Sequence, residues 1–218
     1  MSKKLSPGNF PRFNKDNFHS LCDKVAEKDK SLQFILDTHG YPPMWTRSNS
    51  FATLILIILE QQVSLASARA AFNKLKNKIG RITPEKLLQL SDEELRACYF
   101  SRQKTLYARH LAEAMVSKKI RLQRHINCHD DEIRTELTQL KGIGNWTTDV
   151  YLLFALQRTD IFPVGDLAMI NALKEVKRLP TTVSREKIIE IAERWRPNRS
   201  IAAMILWHHY IQTRNIKF

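Results

Sequence analysis

Apolar positions along the chain recur at helical spacing. Phe18, Leu21, Cys22 and Val25 fall one turn apart, as one face of an amphipathic helix requires. A second helix is expected from about Ser31 to His39, with Gly40 placed to end it. Tyr41 to Asn49, with its Pro42-Pro43 pair, reads as a loop. Ser50 to Glu60 is almost wholly apolar, which predicts a helix buried on most sides. After the polar break Gln61-Gln62, Ser64 can cap a helix bearing Leu65, Ala68, Phe72, Leu75 and Ile79, which Gly80 terminates. Thr83-Pro84 is an N-cap followed by proline at the first helical position. Ser91 to Glu94 fits a capping box, and Ser101 can cap a helix carrying Tyr107, Leu111, Ala114 and Met115. Ile133, Leu137 and Leu140 mark a helix that stops at Lys141-Gly142, and Trp146 to Leu156 forms another. Asp166 opens one carrying Ile170, Leu173 and Val176, and two more lie near Arg185–Arg194 and Arg199–Thr213. No stretch alternates as a strand does between hairpin turns. The expected fold is therefore all-α, a bundle of about ten helices without a repeat or a long linker.

Composition narrows what such a bundle does. With 43% hydrophobic residues in 218, the chain can bury a core. Lys and Arg number 35 against 22 Asp and Glu, a net charge of +13, which points to nucleic acid or an acidic membrane surface. Seven basic residues and one acid, Glu113, lie between Arg102 and Arg124, either as a solvated face or against phosphates. The longest apolar run, Phe51 to Leu59, interrupted only by Thr53, is far short of the roughly 20 residues of a membrane span. The first residues show no apolar signal-peptide stretch, so an intracellular protein is expected, without a membrane partner. Cys22, Cys98 and Cys128 are too few and too scattered for a disulfide framework. His110, His125 and His129 lack the spacing of metal ligands.

The most specific signal is Leu140-Lys141-Gly142-Ile143-Gly144-Asn145-Trp146, two glycines in a tight turn between amphipathic helices. Glycine permits positive φ and close approach of a ligand to the backbone. The following helix start presents free N–H groups that can bind phosphate without a charged side chain. An ordinary helix–helix turn is the plainer reading. Asp166 is likewise a common helix N-cap or a functional carboxylate.

Taken in order, the segments resemble the helix-hairpin-helix DNA glycosylases, and more closely the DNA-3-methyladenine glycosylase II type in its short form, without an N-terminal β-domain. Gln61-Gln62-Val63-Ser64 resembles the family's duplex-probing loop, and Phe100 to Lys104 its interhelical loop. Leu140 to Thr147 resembles the hairpin, Phe162-Pro163-Val164-Gly165-Asp166 the catalytic corner, and Arg199-Ser200 with Trp207 the C-terminal helix. The resemblance spans roughly residues 45–212. It departs from the family at Gly165, where a second acid is frequent, and at Glu60, where a small residue is more usual.

The resemblance implies two lobes with an active-site cleft between them. The central lobe covers about 50–155, including the hairpin at 140–146; the second combines 1–49 and 156–218. It implies a monomer that acts on double-stranded DNA containing a damaged base, in the cytoplasm (nucleoid) of a prokaryote or the nucleus of a eukaryote. The expected reaction is hydrolysis of alkylated purines such as 3-methyladenine and 7-methylguanine. Another lesion (hypoxanthine, ethenoadenine or a deaminated base) and a non-catalytic damaged-DNA-binding module are the alternatives. Asp166 is the implied catalytic residue, and Trp207, Trp146, Tyr151 and Trp45 are pocket candidates. Gly142, Ile143, Gly144, Trp146, Thr147, Gln62, Val63, Ser64, Arg102 and Lys104 are DNA-binding candidates. Bifunctional members carry an amine nucleophile at the start of the hairpin's second helix. Trp146 and Asn145 supply none, so Schiff-base chemistry is not expected. No cysteine follows Cys128, so no C-terminal iron–sulfur cluster is expected. No cofactor is needed for catalysis; a structural Na+ or K+ on the carbonyls of Thr138, Leu140 and Ile143 is implied by the family.

Overall fold

The computed structural model describes residues 10–216. These form thirteen helices: α1 (Phe18–Ala26), α2 (Lys30–His39), α3 (Phe51–Glu60), α4 (Leu65–Ile79), α5 (Pro84–Leu88), α6 (Asp92–Ala97), α7 (Arg102–Val116), α8 (Leu122–His125), α9 (Asp130–Thr138), α10 (Asn145–Phe154), α11 (Leu167–Val176), α12 (Arg185–Glu193) and α13 (Arg199–Thr213). Among the described residues the only β-type pairing is an isolated antiparallel bridge between Arg12 and Arg158. The surplus over the expected count comes from short elements. The four-residue α8 has no side-chain cap to announce it.

Most helix starts follow from capping chemistry. Ser50, Ser64, Thr83, Ser91 and Ser101 each accept a hydrogen bond from the backbone N–H three residues on. Such a cap stabilises by about 1 kcal/mol. Gly40 and Gly80 end α2 and α4 at φ 73° and 69°. Helix α9 stops at Thr138, ahead of the expected Lys141-Gly142, because the turn begins earlier: Leu140 N–H bonds back to the Leu137 carbonyl.

The chain divides into two compact units, one of Arg47–Tyr151 and one of Pro11–Thr46 together with the segment from Leu152 on. In the first unit α3 is the central element, with Leu54, Ile55, Ile57 and Ile58 fully buried. Each such side chain contributes about 1.5–3 kcal/mol through burial. Helices α4 and α7 pack on α3, and α5 and α6 pack on α7. Helix α4 buries Ala68, Ala71 and Leu75, whereas Leu65, expected on that face, is exposed and Phe72 is only half-buried.

In the second unit α13 is central and α1, α2 and α11 pack against it. Ile201 to Leu206 are buried without interruption. Asp29 caps α2 and also accepts from Lys177 Nζ at 2.7 Å and Trp195 Nε1 at 2.9 Å. Burial pushes this carboxyl up, but the hydrogen bonds from Lys177 and Trp195 outweigh it and hold Asp29 below the usual carboxylate range.

Candidate active site and nucleic-acid interface

Within the first unit, α9 and α10 are joined by the turn that carries Gly142 and Gly144. Gly142 has φ +89°, and a Cβ there would fall inside the Tyr107 ring. Both conformation and space therefore demand glycine. Gly144 is different: a Cβ there would meet nothing within 4 Å. Its value is open space beside the backbone, as a ligand approaching α10 requires. Ile143 and Leu140 are buried and fasten the turn to the unit, and Ile143 N–H donates to the Leu140 carbonyl at 3.0 Å. The Gly144 carbonyl accepts from both the N–H and the hydroxyl of Thr148, each at 3.1 Å, and so starts α10. The first turn of α10 begins at Asn145, where backbone N–H groups have no partner within the helix itself. Trp146 is half-buried and Asn145 exposed.

Thr147 requires a correction. It is a DNA-facing residue in the sequence reading, but it is buried and its hydroxyl accepts from Gln61 Nε2 at 2.9 Å. The same Gln61 nitrogen donates to the Gly142 carbonyl at 2.8 Å. Sequence reasoning missed this residue, and no local pattern separates it from its neighbour. Gln62, one position on, is exposed with φ 56°, a left-handed conformation that is uncommon for a non-glycine residue. Val63 is 45% exposed beside it, while the Ser64 hydroxyl is occupied in capping α4. The loop thus presents Gln62 and Val63 outward.

Two charged residues near this loop behave differently from expectation. Lys104 Nζ donates to the Leu59 carbonyl at 2.6 Å, and burial pulls its pKa down. Its ammonium thus serves the C-terminal end of α3, where carbonyls lack helical donors. Arg102 is exposed and remains a phosphate candidate. Glu60 forms a bidentate pair with Arg47, at 2.8 and 2.7 Å, with little exposure of the carboxylate. The unusual acid is therefore neutralised within the unit.

In the second unit the turn Phe162 to Asp166 closes with Asp166 N–H on the Pro163 carbonyl at 2.8 Å. Asp166 caps α11: its Oδ1 accepts from Met169 N–H at 3.0 Å and from Trp207 Nε1 at 2.9 Å. The carboxylate is half-exposed and held from two sides. Trp207 itself stacks on Phe154, with ring centroids 5.3 Å apart and planes at 27°. Phe154 carried no distinguishing sequence signal, since its partner is 53 residues away in the chain. Leu167, next to the acid, is 77% exposed.

Other pocket candidates fare unequally. Trp45 is half-buried and lies against His208, with centroids 6.4 Å apart. His208 and His209, directly after Trp207, are buried against His39. Tyr151 is corrected: it is fully buried, and its hydroxyl donates to Asn49 Oδ1 at 2.7 Å and meets His125 Nδ1 at 3.0 Å. No face of it is free to stack on a base. His125 is buried in that network, 3.3 Å from Glu136.

Comparison with known proteins identifies the family. Residues 55–197 match the model of the HhH-GPD superfamily of base excision DNA repair proteins. The chain is 33% identical over 165 residues to DNA-3-methyladenine glycosylase 1 of Schizosaccharomyces pombe, covering 74% of this chain and 72% of that protein. Its fold is similar to the S. pombe 3-methyladenine DNA glycosylase solved in complex with abasic DNA (TM-score 0.80, 28% identity, 89% of this chain and 97% of that one). It is also similar to a DNA-3-methyladenine glycosidase from Bacillus halodurans (TM-score 0.75, 26% identity, 94% of each chain).

Proposed function

The chain belongs to the HhH-GPD superfamily of base excision DNA repair proteins, and on that footing we propose that it is a monofunctional DNA glycosylase. It extrudes alkylated purines, 3-methyladenine and 7-methylguanine among them, from duplex DNA and hydrolyses their glycosidic bond. The observation that carries this reading is Asp166, a half-exposed carboxylate oriented by both a backbone N–H and an indole N–H.

Departure of the base leaves positive charge on the deoxyribose. A fixed carboxylate beside the sugar carbon stabilises that charge and can help activate the attacking water. An alkylated purine is already cationic, so it leaves with little acid assistance. It also favours electron-rich aromatic surfaces by about 0.5–2 kcal/mol per ring, which gives Trp207 and Trp146 their roles. The enzyme must first take the base out of the stack. Gln62 and Val63 occupy the gap that remains, and the amides of Gly142, Gly144 and Trp146 hold a backbone phosphate. A Na+ or K+ ion suits the carbonyls of Thr138, Leu140 and Ile143. They are neutral oxygens at the end of α9 and in the turn, and the Leu140 oxygen keeps a lone pair beyond its bond to Ile143. Such an ion would add positive charge beside the phosphate.

The test is release of free base from methylated duplex DNA, with strand breaks appearing only after a heat or alkali step. Asp166→Asn keeps the capping oxygen and removes the charge. It should abolish release while DNA affinity persists, and full activity in that variant would refute the assignment.

A further inference from the structure

The hairpin and the probing loop are joined by one side chain. Gln61 Nε2 spends both its hydrogens on hairpin acceptors: the Gly142 carbonyl at 2.8 Å and the Thr147 hydroxyl at 2.9 Å. Those acceptors bracket the phosphate-facing turn, one in the glycine bend and one in the first turn of α10. Lys104 holds the same loop from the other end, through the last residues of α3. With Gln61 directed inward, the chain reverses at Gln62 through its left-handed conformation (φ 56°) and turns that side chain outward. Adjacent glutamines therefore have opposite tasks.

We propose that Gln61 is a positioning residue that locks the probing loop to the phosphate-binding hairpin, so that anchoring the backbone fixes the depth at which Gln62 enters the duplex. This rests on the glycosylase reading for its DNA half; the internal half is a property of the first unit alone. The physical reason is geometric. A loop tethered only by its backbone ends would vary its reach independently of the phosphate grip. A donor shared between two hairpin acceptors removes that freedom, and burial of Thr147 makes the lost bond costly.

The full-length protein tests this by hydrogen exchange and by fluorescence. The DNA probe is a duplex with a tetrahydrofuran abasic analogue and 2-aminopurine at the neighbouring position. In Gln61→Leu, exchange should rise together in 60–64 and 142–147, by about tenfold or more, as expected for two lost hydrogen bonds. Affinity for undamaged duplex should stay within about twofold, because phosphate contacts dominate it, while the 2-aminopurine signal on lesion DNA falls several-fold. Gln62→Ala should lower that signal and leave exchange at 142–147 unchanged. Should Gln61→Leu fail to fold, Thr147→Val removes one of the two acceptors and should give an intermediate rise. Unchanged exchange at 142–147 in the Gln61 variant, or a rise there with an unaltered 2-aminopurine signal, overturns the proposal. Absence of base release by the wild type would sink the glycosylase reading and leave the exchange result standing, so the two failures are distinct.

Discussion

Replacing Trp207 by phenylalanine separates two roles that this indole combines. Phenylalanine preserves an aromatic face against Phe154 but removes the Nε1–H that holds Asp166 Oδ1 at 2.9 Å. A hydrogen bond to a charged acceptor contributes about 1.5–3 kcal/mol. If that bond keeps the carboxylate aimed at the sugar, its loss slows the chemical step by about tenfold to 150-fold. The cap bond from Met169 N–H remains, so α11 should still form. The assay is single-turnover base release from methylated duplex with enzyme in excess, which isolates chemistry from binding. It should run well below the melting temperature of both proteins. A rate within about twofold of wild type would show that Trp207 acts through stacking alone and that Asp166 needs no second donor.

Gly142→Ala should disrupt the hairpin, since its Cβ would fall inside the Tyr107 ring at φ +89°. A loss of about 1–3 kcal/mol is expected by calorimetry, with partial recovery of DNA affinity on adding Tyr107→Ala. Arg102→Ala should reduce the slope of log affinity against log salt by about 0.9, whereas Lys104→Ala should leave the slope nearly unchanged, because its ammonium is bound to the Leu59 carbonyl. Burial pulls the pKa values of His208 and His209 down, so the fold favours their neutral form. The unfolded chain protonates them at about pH 6.5, and stability present above that pH is lost as pH falls. The melting temperature should therefore drop between about pH 7.5 and 5.5, a range in which ordinary carboxylates barely titrate; a rise towards acid pH would contradict this.

Helix starts are readable from the chain because capping is a local event. Ser64, Ser91, Ser101 and Asp166 announce their helices within four residues, and Gly40 and Gly80 announce ends. Asp166 is legible as a cap for the same reason. What escaped the sequence depends on distant partners. A lysine in a basic run reads as a phosphate contact until the Leu59 carbonyl is found 45 residues away. The two histidines after Trp207 are buried by His39, which arrives from α2, about 170 residues away in the chain. Gln61 and Gln62 are identical in type and adjacent, and only the packing tells the inward side chain from the outward one.

The cap formed by Asp166, taken with the chemistry proposed for it, has a genetic consequence. Asparagine caps a helix as well as aspartate does, and its side-chain oxygen could accept the same two hydrogen bonds. One transition in an aspartate codon produces it. The fold would thus raise no objection to the very substitution expected to silence the chemistry. On the proposed mechanism, a cell carrying that allele would make a stable protein that still occupies lesions and shields them from other repair. Surveillance that relies on unfolding could not remove it.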